Sequence, residues 1–191
     1  MFIKKNKYYL FIENTRDFNI NLIKYRNKFH IIYRNNKSNE RISNLISFRR
    51  KCKQKGVYFY IANDTKLMQK INADGLYISS HNKKLLLNLF SRIGYEIIGS
   101  AHNHFEIKTK MFQRCKSIVY SRLFETNYIE KKGNLGLNKF NLISLRSKIN
   151  LIPLGGINSN NLNTLNSVKC NSFACLTAIK KKPAKFINRL F

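Results

Sequence analysis

Acid is what this chain most lacks: 9 Asp and Glu stand against 36 Lys and Arg in 191 residues, a formal charge of +27 at pH 7. A charge of that sign and size points toward polyanions, because basic surfaces concentrate phosphate. The basic residues are nevertheless scattered along the whole chain, mostly as Lys among Asn and Ile, with no long block set apart. That spread reads as compositional drift of the kind an AT-rich genome produces, rather than as a dedicated nucleic-acid surface. It still helps to attract phosphorylated small molecules.

Other absences narrow the class. Cys52, Cys115, Cys170 and Cys175 form no C-x-x-C pair and no zinc-finger spacing, so they read as reduced thiols of a cytoplasmic protein. No uninterrupted apolar run is long enough to span a bilayer, and the stretch from Met1 to Lys7 lacks the apolar core and cleavage site of a signal peptide. Only Pro153 and Pro183 interrupt the local patterning. No Gly-rich turn follows the first apolar run, which argues against a doubly wound nucleotide-binding sheet.

What is present is a repeat of β-rich runs and helical periods. Strands are expected at Tyr8 to Glu13, Phe29 to Tyr33, Val57 to Ala62, Gly75 to Ile78, Glu96 to Ser100, Ser117 to Tyr120, Leu151 to Leu154 and Phe173 to Thr177. Lys83 to Phe90, Phe140 to Arg146 and Asn161 to Leu165 place apolar residues three and four apart and read as covering helices. Eight strands in such alternation predict a compact single-domain (β/α)8 TIM barrel, class α/β, over residues 1–191. Because that architecture usually takes about 250 residues and at least about 200, the connections are expected to be trimmed.

In such a barrel the functional groups gather where the strands end. The stretch Asn150 to Asn158 ends an apolar strand on Gly155-Gly156 and runs into an expected helix, a place where backbone N–H groups can hold a phosphate. Before it, the strand ends supply Arg34, Asn63-Asp64, Tyr77 to Ser80, Ser100 to Asn103 and Phe124 to Thr126, and after it Leu176-Thr177.

In this order these residues resemble the thiamine phosphate synthase family and its sister group, the TenI-type thiazole tautomerases, from about Arg34 to Ala178. The family's Q-x-R-x-K is matched at Arg34 within Ile32 to Asn36, and its N-D is intact as Asn63-Asp64. A-D-G-x-H-x-G-Q corresponds to Ala73 to Ser80, with Tyr77 at the histidine, and G-x-S-x-H to Ile98 to His102. G-P-x-F-x-T-x-T/S-K corresponds to Ser121 to Ile129, keeping Thr126 but not the lysine, followed by Gly136. G-G-I is Gly155-Gly156-Ile157, and V-S-A-I is Leu176 to Ile179.

The resemblance implies a transferase that joins hydroxymethylpyrimidine diphosphate to a thiazole phosphate and releases diphosphate. It implies substrate contacts from Arg34, Asn63, Thr126, Gly155, Gly156, Leu176 and Thr177. It also implies Mg²⁺ on Asp64, with the family's second metal carboxylate falling near His81-Asn82, where this chain has an amide. His102 and Ser100 are the candidate catalytic pair. His102 would be the general base of a tautomerase, and in the synthases the same residue is a structural hydrogen-bonding group. His102-Asn103-His104 has metal-ligand spacing but lacks further ligands at matching strand ends, so no zinc or iron site is expected. Three activities thus stand: synthase, TenI-like tautomerase, and a non-catalytic binder of phosphate ligands or nucleic acid. The partners expected are phosphorylated small molecules, with no membrane and no nucleic acid, and with a homo-oligomer left open.

Overall fold

A computed structural model describes residues 5–24, 27–35, 40–126, 133–176, 183–188 and 190. Eight strands run parallel: β1 (Lys7–Ile12), β2 (Phe29–Tyr33), β3 (Tyr58–Ala62), β4 (Gly75–Ile78), β5 (Glu96–Ala101), β6 (Ser117–Ser121), β7 (Asn150–Leu154) and β8 (Ser172–Cys175). Each is within two residues of its expected bounds. They pair in sequence order from β1 to β7, and β1 also pairs with β8. β7 and β8 lie side by side without a ladder among the described residues, so the barrel is nearly closed. This bears out the expected barrel and excludes the doubly wound sheet, whose strand order reverses at a switch point.

The strands are buried on both faces, as parallel sheets require. Side chains such as Tyr9, Phe11, Tyr60, Tyr77, Ile98 and Ile152 fill the inside of the barrel. A second layer packs between the sheet and its covering helices, with Phe59, Ile118 and Leu151 from strands meeting Phe48, Met68 and Phe140. Six α-helices are described: α1 (Ile42–Gln54), α2 (Thr65–Lys70), α3 (Asn88–Arg92), α4 (His104–Phe112), α5 (Gly136–Arg146) and α6 (Pro183–Asn188).

The connections are trimmed where the chain length required it. Between β1 and β2 stand two 3-10 turns, Thr15–Asp17 and Ile20–Leu22, where a full barrel carries a helix. The expected helix at Lys83 to Phe90 is a 3-10 turn, Leu85–Leu87, running into α3. Gly155-Gly156 does not run into an α-helix. Asn158 and Asn161 fold the chain back on itself, with Asn160 N–H donating to Asn158 Oδ1 at 2.8 Å and Asn161 Nδ2 donating to the Gly156 carbonyl at 2.8 Å. Such side-chain bonds compete with helical ones, and only a 3-10 turn, Asn163–Ser167, follows.

Candidate functional site

The strand ends from β2 to β7 carry four small groups of polar side chains. In the first, Arg34 follows β2, and its charge and the Ser100 hydroxyl both act on the buried phenol of Tyr77. Burial raises the Tyr77 pKa, while Ser100 and Arg34 pull it the other way, so the phenol is neutral. Ser100 thus acts on Tyr77, the residue at the histidine position of the resembled motif.

The second group locks two loops together. Asn63 adopts a left-handed φ of 59°, which Asn tolerates better than most residues. Its Oδ1 accepts from Ser79 N–H at 3.0 Å and from Asn82 Nδ2 at 3.2 Å, and its Nδ2 donates to Ser79 Oγ at 2.8 Å. His81 Nε2 lies 3.0 Å from the same hydroxyl. Next to it Asp64 caps α2, its Oδ1 accepting from Leu67 N–H at 2.9 Å. Mg²⁺ needs several hard oxygen ligands. Asp64 is the one carboxylate among these loop residues, Asn82 stands across from it, and no group of three His, Cys, Asp or Glu that could hold a metal occurs among the described residues. These residues do not compose a resident metal site, and no chemical step is assigned to one.

The third group is His102, exposed at the end of β5. Its Nδ1 lies 2.9 Å from Ser121 Oγ on β6, and its backbone N–H donates to Glu106 Oε2 at 2.7 Å. Asn103 caps α4, so the loop from β5 into that helix is held at both ends.

The fourth group surrounds the glycine pair. Gly155 and Gly156 have φ of +107° and +68°, and an added Cβ at Gly156 would lie 2.3 Å from the Glu125 carbonyl oxygen and 2.7 Å from Phe124 Cβ. The loop after β6 thus packs directly on these glycines, with Leu123 N–H donating to the Leu154 carbonyl and Phe124 N–H to that of Gly155. Among the described residues no acceptor meets the N–H groups of Gly155, Gly156 or Ile157. Arg122, beside Gly155, donates from Nη1 to Thr126 Oγ1 at 3.1 Å.

Leu176, just past β8, is half-buried against the barrel interior. Thr177 lies outside the described residues. A cleft of about 410 Å³ sits elsewhere, between the β1–β2 connection and α1, and none of the predicted residues lines it.

Comparison with known proteins decides the lineage. A profile of thiamine monophosphate synthase matches residues 4–179. The chain belongs to that family. Thiamine-phosphate synthase of Prochlorococcus marinus is 27% identical over 130 residues, 67% of this chain and 37% of that protein. Thiamine-phosphate synthase of Methanococcus maripaludis is 27% identical over 128 residues, 63% of this chain and 58% of that protein. The chain therefore spans well under two thirds of the length of these curated relatives. Among solved structures, thiamine phosphate pyrophosphorylase from Pyrococcus furiosus superposes with a TM-score of 0.75 at 15% identity, covering 98% of this chain and 94% of that one. The 3-keto-L-gulonate-6-phosphate decarboxylase of Vibrio cholerae superposes with a TM-score of 0.63 at 13% identity, covering 97% of this chain and 95% of that one. These likenesses concern the fold alone.

Two functional candidates escaped the sequence reading. Ser121, which anchors His102, looked like the altered first residue of a loop motif. Lys110 looked like one more scattered lysine, yet Ile107 and Lys110 of α4 and Gln113 at its C-cap recur every three residues and are all buried, a pattern visible in the sequence.

Proposed function

We propose that this chain is a thiamine phosphate synthase-like transferase, which joins hydroxymethylpyrimidine diphosphate to thiazole phosphate and releases diphosphate. The bond from the pyrimidine's methylene carbon to the diphosphate oxygen breaks, and the oxygen keeps the electron pair. The thiazole nitrogen then donates its lone pair to that carbon, forming the C–N bond, and no proton has to move.

The observation that carries this reading is the glycine nest beside Arg122, with Arg34 standing across the strand ends. The N–H groups of Gly155, Gly156 and Ile157 suit the oxygens of a thiazole phosphate. Arg34 and Arg122 suit the departing diphosphate, because guanidinium groups bind such oxygens bidentately and stabilise charge that grows in the transition state. Tyr77 and Ser100 give a neutral, polar wall between them.

The test is an assay with both substrates, reading thiamine phosphate and released diphosphate together. Equimolar formation of the two is expected, with Arg34→Ala and Arg122→Ala each losing at least about tenfold in kcat/KM. Rearrangement of the thiazole without turnover of the pyrimidine diphosphate would instead make the chain a tautomerase.

A further inference from the structure

Under the loop that follows β4 lies a buried cation. Lys110 of α4 has no accessible surface. Its stem crosses β5 at Gly99, where an added Cβ would lie 2.9 Å from Lys110 Cγ and Cδ. Its Nζ donates to the carbonyl oxygens of Ser79 and Asn82, both at 2.8 Å, and to Gln113 Oε1 at 2.9 Å. Gln113 in turn donates from Nε2 to the carbonyls of Asn82 and Lys84, each at 3.0 Å.

All three acceptors of the ammonium are uncharged. Burying a cation without a carboxylate is unfavourable, and a neutral donor could tie the same turn with a smaller desolvation penalty. The three acceptors also use all three N–H bonds of an ammonium, whereas a neutral amine offers only two. The geometry is therefore that of the charged form. The turn it holds, Ser79 to Asn82, is locked to Asn63 and lies between the strands that lead to Arg34 and Arg122. A fixed positive charge behind this turn, together with an amide at Asn82, opposes binding of a divalent cation and favours an anion.

We propose that Lys110 is a positioning residue that holds the Ser79–Asn82 turn and supplies the fixed positive charge with which the barrel mouth receives a diphosphate, in place of a resident divalent metal. The inference rests on the functional reading above insofar as a diphosphate occupies the mouth. Burial lowers the Lys110 pKa to about 8, with Cys115 and Glu106 opposing the shift. His81, bonded to Ser79, is the titratable side chain that the turn itself brings near.

Calorimetric titration of inorganic pyrophosphate into the whole chain in EDTA tests the proposal, with Lys110→Met as the variant that keeps the stem and removes the charge. Wild-type protein is expected to bind without added metal, and the variant about tenfold more weakly. Raising the pH from 7 to 9.5 should shrink that difference. Pyrophosphate ionises identically in both experiments, so the change reports Lys110, and a merely structural contact would not produce it. If Lys110→Met does not fold, as judged by near-ultraviolet dichroism, the wild-type titrations with and without Mg²⁺ decide alone. Binding that appears only when Mg²⁺ is added, or a folded variant with wild-type affinity, overturns the proposal. Failure to form thiamine phosphate while metal-free pyrophosphate binding persists would sink the functional reading and leave this one standing.

Discussion

His102 Nδ1 lies 2.9 Å from Ser121 Oγ, so the imidazole at the end of β5 is tethered to the next strand. Nδ1 also lies 3.4 Å from the Ser121 carbonyl oxygen, so both oxygens of Ser121 fix the ring. In a synthase such a group orients substrate but moves no proton. His102→Asn is therefore expected to lower kcat/KM by no more than about tenfold and to leave the shape of the pH–rate profile unchanged. General-base catalysis is worth about 10² to 10⁴. A loss in that range, together with the disappearance of one limb of the profile, would make His102 the base of a tautomerase.

Gly156 is the second pressure point. Its φ of +68° is unfavourable for any residue with a Cβ, and that Cβ would meet the Glu125 carbonyl and Phe124. The backbone term alone is roughly 1 to 2 kcal/mol, and the collision forces the loop after β6 away from the nest. Gly156→Ala should lower Tm by at least several degrees and abolish binding of thiazole phosphate. Gly94→Ala is the control, since Gly94 has φ of +94° with nothing within 4 Å of an added Cβ. It should show a fall in Tm with ligand binding intact. Equal losses of binding in both variants would mean that the close approach at Gly156 has no special role.

Asp74 belongs to the motif Ala73-Asp74-Gly75, yet it acts away from the strand ends. Its Oδ2 accepts from Phe59 N–H at 2.7 Å, and its Oδ1 pairs with Arg49 of α1 at 2.7 Å. Removing the carboxylate leaves a backbone N–H of β3 without its acceptor, at about 1 to 3 kcal/mol. Asp74→Ala should thus lose several degrees of Tm while keeping wild-type kcat and KM. A variant with unchanged Tm and impaired kinetics would move Asp74 into the site.

That contrast explains what the sequence could and could not disclose. The eight strands were legible because buried parallel strands are continuous β-rich runs, and their ends fell within two residues of expectation. Arg34, Asn63, His102 and the glycine pair lie at the strand ends as expected from the sequence, since a parallel barrel brings every strand's carboxyl end to one face. Partnerships were not legible. Asp64 caps a helix, Asp74 ties a helix to a strand, Ser121 fixes a histidine, and Lys110 holds a turn. Each pairing depends on which side chain faces which across neighbouring elements, and residue type does not record that. The helix expected after Gly156 failed for a local reason: Asn158 and Asn161 bond to nearby backbone and stop it.

The opposite end of the barrel predicts an acid sensitivity. His30 is 1% exposed, stacked between Tyr9 and Tyr58 at ring-centroid distances of 4.5 and 4.8 Å. Tyr60 donates its proton to Glu96 Oε1 at 3.1 Å, so His30 Nδ1, 3.1 Å from the phenol oxygen, carries the ring proton and donates to it. Nε2 is left bare, with no partner among the described residues. Burial lowers the His30 pKa to about 4, helped by the charges of Lys7 and Lys116 and opposed by Glu96. Between about pH 4 and 6.5 the unfolded chain therefore takes up a proton that the folded chain refuses, and stability falls as the pH drops through that window, by on the order of 3 kcal/mol. At Glu96 burial is outweighed by the bond and charge of Lys116 and the bond from Tyr60, so its pKa is also lowered in the folded chain and adds a further loss below the ordinary carboxylate range. His30→Phe keeps the stacking and removes the bare nitrogen. Thermal melts from pH 4.5 to 7.5 should show Tm falling steeply with acid in the wild type and much less in the variant. Parallel curves would mean that His30 is not held neutral in the barrel floor.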